Sequence, residues 1–205
     1  MPILRTLLVS IALIAAGGFA LGAATDRFRA FTTETARRIA VREHPVGIPD
    51  VPLETASGAH IGFAGFRGKW LLVDFIYTRC PTYCIALGGE FAQLQDRLAA
   101  PLARGDLELL SISFDPAHDS PERLAAYQRR FRTRGIGWLA TRPDSADGLR
   151  RLERAFGVTV IPGPLDSYVH NAAVHLVDPQ GRLVEIVDWG NPDAVVRALT
   201  QRLTP

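Results

Sequence analysis

The sequence has one lysine, one methionine, two cysteines and no block of like charge. Lysine occurs only at Lys69, so nearly all of the 23 Lys and Arg residues are arginine, set against 21 Asp and Glu for a net charge of +2. The skew toward arginine points to a GC-rich bacterial genome and to no partner. A nucleic-acid-binding protein would carry a basic face or stripe, and none is present, so no nucleic-acid partner is expected. The only methionine is Met1, which leaves no thioether for a metal in the folded part. Two cysteines, Cys80 and Cys84, are too few for a disulfide-stapled scaffold or a four-cysteine zinc site, and they do not form a C-x-x-C-H haem attachment. Internal repeats and low-complexity tracts are also lacking. What is present, 205 residues with 47% hydrophobic and 21% charged, is the composition of a globular chain with room for one domain.

The first segment is of a different kind. Thr6 to Thr25 reads TLLVSIALIAAGGFALGAAT, twenty residues without a charge. As a helix this is about 30 Å long, enough to cross the hydrocarbon core of a bilayer. Arg5 and the amino terminus precede it, which suits an amino end left in the cytoplasm. Either an uncleaved anchor or a signal peptide cut near Gly22, Ala23 and Ala24 accounts for the run, and its length favours the anchor. Both place the rest of the chain outside the cytoplasm. The expected organisation is a membrane segment over residues 1–25, a helical or mobile tether over 26–44, and a folded domain over 45–205.

That domain begins with an extended stretch, Pro45 to Pro52, and a small hairpin formed by Leu53–Thr55 and His60–Gly62. Trp70 to Tyr77 (WLLVDFIY) and Leu107 to Phe114 (LELLSISF) are apolar runs expected as strands covered on both faces. Between them, Leu87, Phe91, Leu94 and Leu98 recur at helical spacing over Tyr83–Ala99. Ser120-Pro121 is a helix start, with serine as the capping hydroxyl and proline at the first helical position. A short strand at Trp138–Thr141 and a helix over Ala146–Phe156 follow. Strands Ala172–Val177 and Leu183–Asp188 are joined by the turn Asp178-Pro179-Gln180-Gly181, and a helix over Asn191–Leu203 closes the chain. This order predicts an α/β fold, a thioredoxin-like central sheet flanked by helices, preceded by the N-terminal helix.

Cys80 and Cys84 follow the first core strand directly, at the carboxyl end where open α/β sheets handle ligands. The positive end of the next helix and the charge of Arg79 both favour thiolate there. Three readings stay open. One is a structural disulfide or two buried thiols. Another is a redox dithiol, although thiol oxidoreductases of this fold use C-x-x-C and here three residues intervene. The last is a soft metal such as Cu(I), whose two-thiolate shell one imidazole completes. Of five histidines, His44, His60 and His118 are expected at the surface, and His175 inside a strand. His170 ends the loop VIPGPLDSYVH and enters the next strand, which in a thioredoxin-like fold lies against the cysteine-bearing turn.

The segments GKWLLVDFIYTRCPTYC, SISFDPAHDSPERLAAY and YVHNAAVHLVDPQG, in this order and over roughly Pro45 to Leu203, resemble the SCO/SenC family of thioredoxin-like, copper-binding assembly factors for cytochrome c oxidase. The resemblance implies copper ligands at Cys80, Cys84 and His170, binding Cu(I) or Cu(II), with Asp115 and Asp119 in the acidic segment near them, and the charge of Arg79 offsets the negative shell. It implies delivery to the CuA centre of the copper-receiving oxidase subunit. It also implies exchange with a periplasmic thiol reductant or another copper chaperone, and an anchor in the bacterial inner membrane with the domain facing the periplasm. The rival is a thiol–disulfide oxidoreductase acting on the cysteines of a copper-receiving partner, with Cys80 as the exposed attacking sulfur. Ile85 and Ile76 stand where the family commonly has proline and glycine, and neither replacement removes a ligand.

Overall fold

The computed structural model describes residues 2–80, 83–131, 137–164 and 167–203, the side chains of residues 83 and 84 excepted. The chain divides into two compact units, Met1–Glu43 and His44–Pro205. The first holds helix α1 (Pro2–Ala24), of hydropathy 2.2 and with no buried residue, and helix α2 (Thr33–Glu43). Between them, Asp26, Arg27 and Phe28 take positive φ (49°, 58° and 66°) and form a left-handed turn. Thr25 pins this turn, its hydroxyl donating to the Leu21 carbonyl and accepting from the Phe28 amide. Thr32 opens α2 by accepting the Thr35 amide on its hydroxyl.

The second unit is built on an eight-stranded sheet of order β1-β10-β9-β4-β5-β6-β2-β3. Its strands are β1 (Val46–Gly47), β2 (Pro52–Thr55), β3 (His60–Gly62), β4 (Trp70–Ile76), β5 (Leu107–Ser113), β6 (Trp138–Pro143), β9 (Ala173–Val177) and β10 (Arg182–Asp188). Strands β4, β5 and β6 run parallel, and β9 joins β4 antiparallel. The parallel strands read as unbroken apolar runs because both faces are covered. On one face Phe156, from helix α6 (Ala146–Phe156), packs against Phe75 at 5.2 Å and His175 at 5.3 Å between ring centres. On the other, Phe91 of helix α3 (Tyr83–Arg97) and Tyr127 of helix α5 (Pro121–Arg130) close on Trp138, with α7 (Pro192–Leu203) beside α3.

Three details differ from the sequence expectation. Helix α3 stops at Arg97 and a separate helix α4 (Ala99–Arg104) follows, ended by Gly105 in the left-handed region. Ser120 flanks α5 without a side-chain cap, its carbonyl accepting the Leu124 amide instead. The loop VIPGPLDSYVH contains a hairpin of its own, β7 (Val160–Pro162) with β8 (Tyr168–His170), in the register Ile161↔Val169.

Candidate metal centre beside Cys80

The carboxyl ends of β4 and β5 lie side by side, with Ile76 opposite Ser113. Cys80 sits in the turn that leaves β4, its amide donating to the Tyr77 carbonyl at 3.2 Å. That turn is held from below by Asp119, which is fully buried. Its carboxylate accepts from the Thr78 amide (3.1 Å), the Thr78 hydroxyl (2.6 Å) and the Ser113 hydroxyl (2.5 Å). The segment Asp115–Asp119 can supply this anchor because it folds back at the end of β5, with the Asp119 amide on the Asp115 carbonyl. Asp119 therefore positions the cysteine turn and does not face the ligand site itself.

Arg79 and Asp115 are also committed elsewhere. Arg79 donates to Asp115 at 2.8 Å, and His118 Nδ1 lies 2.8 Å from the other Asp115 oxygen. The positive charge that the sequence assigns to the cysteines is thus largely balanced by a buried carboxylate. His118, expected as a plain surface group, is the third member of that cluster, half exposed on its side chain.

His170 ends β8. Its ring lies 5.0 Å from Phe114, and Tyr168 of the same strand packs on Tyr77 (5.1 Å) and Phe114 (5.6 Å). These aromatics stand at the ends of β4 and β5 and fix where the hairpin rests. Sequence reading did not single them out, although an aromatic at each strand end was there to be seen. His170 and Cys80 line one cavity of about 280 Å³, with Tyr77, Tyr168 and Trp189. Among the described residues, neither ring nitrogen of His170 has a hydrogen-bond partner, although both are buried. Burial holds its pKa below the usual histidine range, against an opposing pull from Cys80. The imidazole is accordingly neutral at pH 7, and among the described residues no proton donor occupies its lone pair.

Cys80 is only 6% exposed, which corrects the expectation of an exposed attacking sulfur. Cys84 falls within α3, but its side chain lies outside the described residues, as do Pro81 and Thr82. Among the described residues no three His, Cys, Asp or Glu side chains gather closely enough to hold a metal. The structure thus brings together Cys80 and His170 of the expected triad. Donor chemistry there suits a soft metal: a thiol that can ionise and an unpartnered neutral imidazole. The remaining histidines are accounted for otherwise. His60 pairs with Asp144 at 2.9 Å and is largely exposed, His44 is exposed, and His175 is buried between Phe75 and Phe156.

Comparison with known proteins agrees with this layout. The chain is 31% identical over 189 residues to the mitochondrial SCO2 homologue of Bos taurus, covering 88% of this chain and 68% of that one. Bradyrhizobium japonicum ScoI, solved with copper bound, superposes with a TM-score of 0.64 at 21% identity, over 76% of this chain and 98% of that one. BsSco, a member of the Sco family of cytochrome c oxidase assembly proteins in which a disulfide switch has been identified, superposes with a TM-score of 0.67 at 21% identity, over 77% and 94%. The SCO1/SenC family profile matches residues 49–204, which take in every described helix of the second unit and every strand of its sheet except β1, and the chain belongs to that family.

Proposed function

We propose that this protein binds copper through Cys80, Cys84 and His170 and delivers it to the CuA centre of cytochrome c oxidase, from a periplasm-facing domain anchored in the bacterial inner membrane by α1. The observation that carries the reading is His170: a neutral imidazole whose two buried nitrogens have no partner among the described residues, on the wall of the cavity that Cys80 also lines. A buried polar ring without a partner costs stability, so a fold that keeps one there has a use for its lone pair. Two thiolates and one imidazole give Cu(I) a three-coordinate shell with one net negative charge, and the amino end of α3 offsets it. Three ligands leave an open side through which the ion can pass to a receiving site. The copper-bound ScoI fold and the assembly role stated for the Sco family of BsSco support the same reading.

Copper and a disulfide exclude each other at these sulfurs, so loading requires prior reduction by a thiol donor. The test is an anaerobic copper titration of the reduced full-length protein. One equivalent is expected, lost in Cys80→Ser and Cys84→Ser and weakened at least tenfold in His170→Ala. Unchanged affinity in His170→Ala overturns the ligand assignment, and equal uptake by oxidised and reduced protein overturns the dependence on reduction.

The rival role, reduction of a partner's disulfide, has one observation in its favour: the disulfide switch described in BsSco. Disulfide-reductase turnover that persists without metal and in His170→Ala would favour it. The burial of Cys80 counts against that sulfur as the attacking group.

A further inference from the structure

Cys80 lines a second cavity besides the one it shares with His170. This one holds about 450 Å³, and its walls include Arg79, Arg123, Arg130, Ile85, Tyr127 and Phe131. Three guanidinium groups surround one cleft, and two of them are unbalanced. Arg79 is offset by Asp115. Arg123 gives an N–H to the His118 carbonyl, and neither it nor Arg130 has a carboxylate partner among the described residues. Both are exposed and stand on α5 seven residues apart, hence on one face and about 10 Å apart along the axis. The same cleft is lined by an aromatic pair, Tyr127 and Phe131, with ring centres 4.8 Å apart. Two positive charges beside aromatic rings, with Cys80 in the same wall, suit an occupant with two negative charges and an apolar middle. A polypeptide in the polyproline II conformation advances about 3.1 Å per residue with three residues per turn, so carboxylates three residues apart fall on one face about 9 Å apart, near the spacing of Arg123 and Arg130. A small anion cannot reach both.

We propose that this cleft recognises an extended acidic segment, carboxylate-x-x-carboxylate, of the protein that exchanges metal or electrons with Cys80. The inference rests on the metal-transfer reading only for what the partner does, since the recognition itself needs no metal. Long-range attraction between the arginines and the acidic segment also guides the encounter, which makes the interaction salt-dependent.

The probe is a synthetic decapeptide carrying a neutral fluorophore and two glutamates three residues apart, compared with its glutamine counterpart by anisotropy against full-length protein in detergent micelles. The glutamate peptide is expected to bind at least tenfold tighter than the glutamine peptide at about 20 mM salt, and the difference to collapse near 300 mM. Arg123→Gln/Arg130→Gln should abolish the preference, whereas Arg129→Gln/Arg151→Gln, which removes the same charge elsewhere, should retain it. Copper uptake by the Arg123→Gln/Arg130→Gln protein should stay that of the parent, which also reports that the fold is intact. No glutamate preference in the parent, an equal loss in the Arg129/Arg151 control, or displacement of the peptide by micromolar glutathione would each overturn the proposal. The last result would assign the cleft to a small thiol. Loss of copper uptake in all of these proteins would sink the copper reading and leave peptide recognition standing.

Discussion

Two aspartates with no exposure at all meet burial in opposite ways. Asp119 accepts hydrogen bonds from three donors. Asp74, on β4 opposite Ser111, closes none on either carboxyl oxygen among the described residues. Burial pushes its pKa up to about 8, with the nearby Ser111 hydroxyl opposing weakly and Glu90, on α3, adding to the rise. Glu90 is itself shifted upward by burial, although it accepts the Gly190 amide. A carboxyl whose pKa is raised on folding leaves stability untouched at low pH and lowers it once the unfolded chain ionises first, so the penalty grows from about pH 4 to about pH 8. Asp74→Asn should therefore change little at pH 4 and stabilise progressively above it, by on the order of 5 kcal/mol at pH 8 as an upper bound. Urea unfolding of both proteins at pH 5 and pH 8 checks this, and an equal difference at the two values would refute it. Asp119→Ala should act in the other direction. It strands the Thr78 amide, the Thr78 hydroxyl and the buried Ser113 hydroxyl, should cost about 3 kcal/mol, and should loosen the Cys80 turn. A matching rise in amide exchange at Thr78 is the signature that separates loss of this clamp from general destabilisation.

At the scale of elements, the legible parts of the fold were those where one physical rule dominates. Strands β4 and β5 announce themselves because a parallel strand covered on both faces needs a continuous apolar run. The turn from β9 to β10 reads directly, since Asp178 accepts the amides of Gln180 and Arg182 and Gly181 takes φ 78°. Helix α6 is marked by Ser145, whose hydroxyl accepts the Gly148 amide, and by Gly157 in the left-handed region at its end. The hairpin β7–β8 was missed for an equally physical reason. Its strands are three residues each, Pro162 and Pro164 read as breakers, and Ile161 and Val169 face outward at 56% and 65% exposure. No alternation marks such a segment, because it is fixed by Tyr168 docking on Tyr77 and Phe114, contacts more than fifty residues away in sequence. Of the site, Cys80 and His170 could be paired from position in the fold alone, whereas the roles of Arg79, Asp115 and Asp119 could not, because spacing does not say which charge faces which. The hairpin that carries His170 is tied at its base by Asn171, whose side chain accepts the Thr159 amide at 2.7 Å and donates to the Gly157 carbonyl at 2.9 Å. Asn171→Ala should cost only about 1–2 kcal/mol in global stability. It should nevertheless raise amide exchange at Ile161 and Val169 selectively and weaken copper binding several-fold, which titration against a competing chelator would measure. Weakened stability with unchanged copper affinity would show that the hairpin base does not set the position of His170.

For the whole molecule, the distribution of buried side chains predicts which part stands alone. The large fully buried side chains, Trp138, Phe75, Phe91 and Phe156 among them, all belong to the unit His44–Pro205, whereas α1 has none. A fragment starting at His44 should therefore unfold cooperatively within a few degrees of the full-length protein in detergent, a comparison that differential scanning calorimetry makes directly. A drop beyond about 5 °C would mean that residues 1–43 contribute to the fold of the second unit. Helix α1 poses the complementary question. Its exposed side chains include Ile3, Leu7, Ile11, Ile14 and Phe19, each more than half exposed, an apolar surface that water does not tolerate and a bilayer does. At 23 residues it is about 35 Å long, enough to span with some tilt and longer than the apolar core of a cleaved signal peptide. The protein expressed in a bacterium should thus sediment with membranes, resist extraction by alkaline carbonate, dissolve in detergent, and retain an intact mass that includes α1. Recovery of a soluble chain beginning near Thr25 would identify α1 as a cleaved export signal. The copper site would then act from a freely diffusing domain, and its meetings with a membrane-bound acceptor would depend on concentration instead of on sharing one surface.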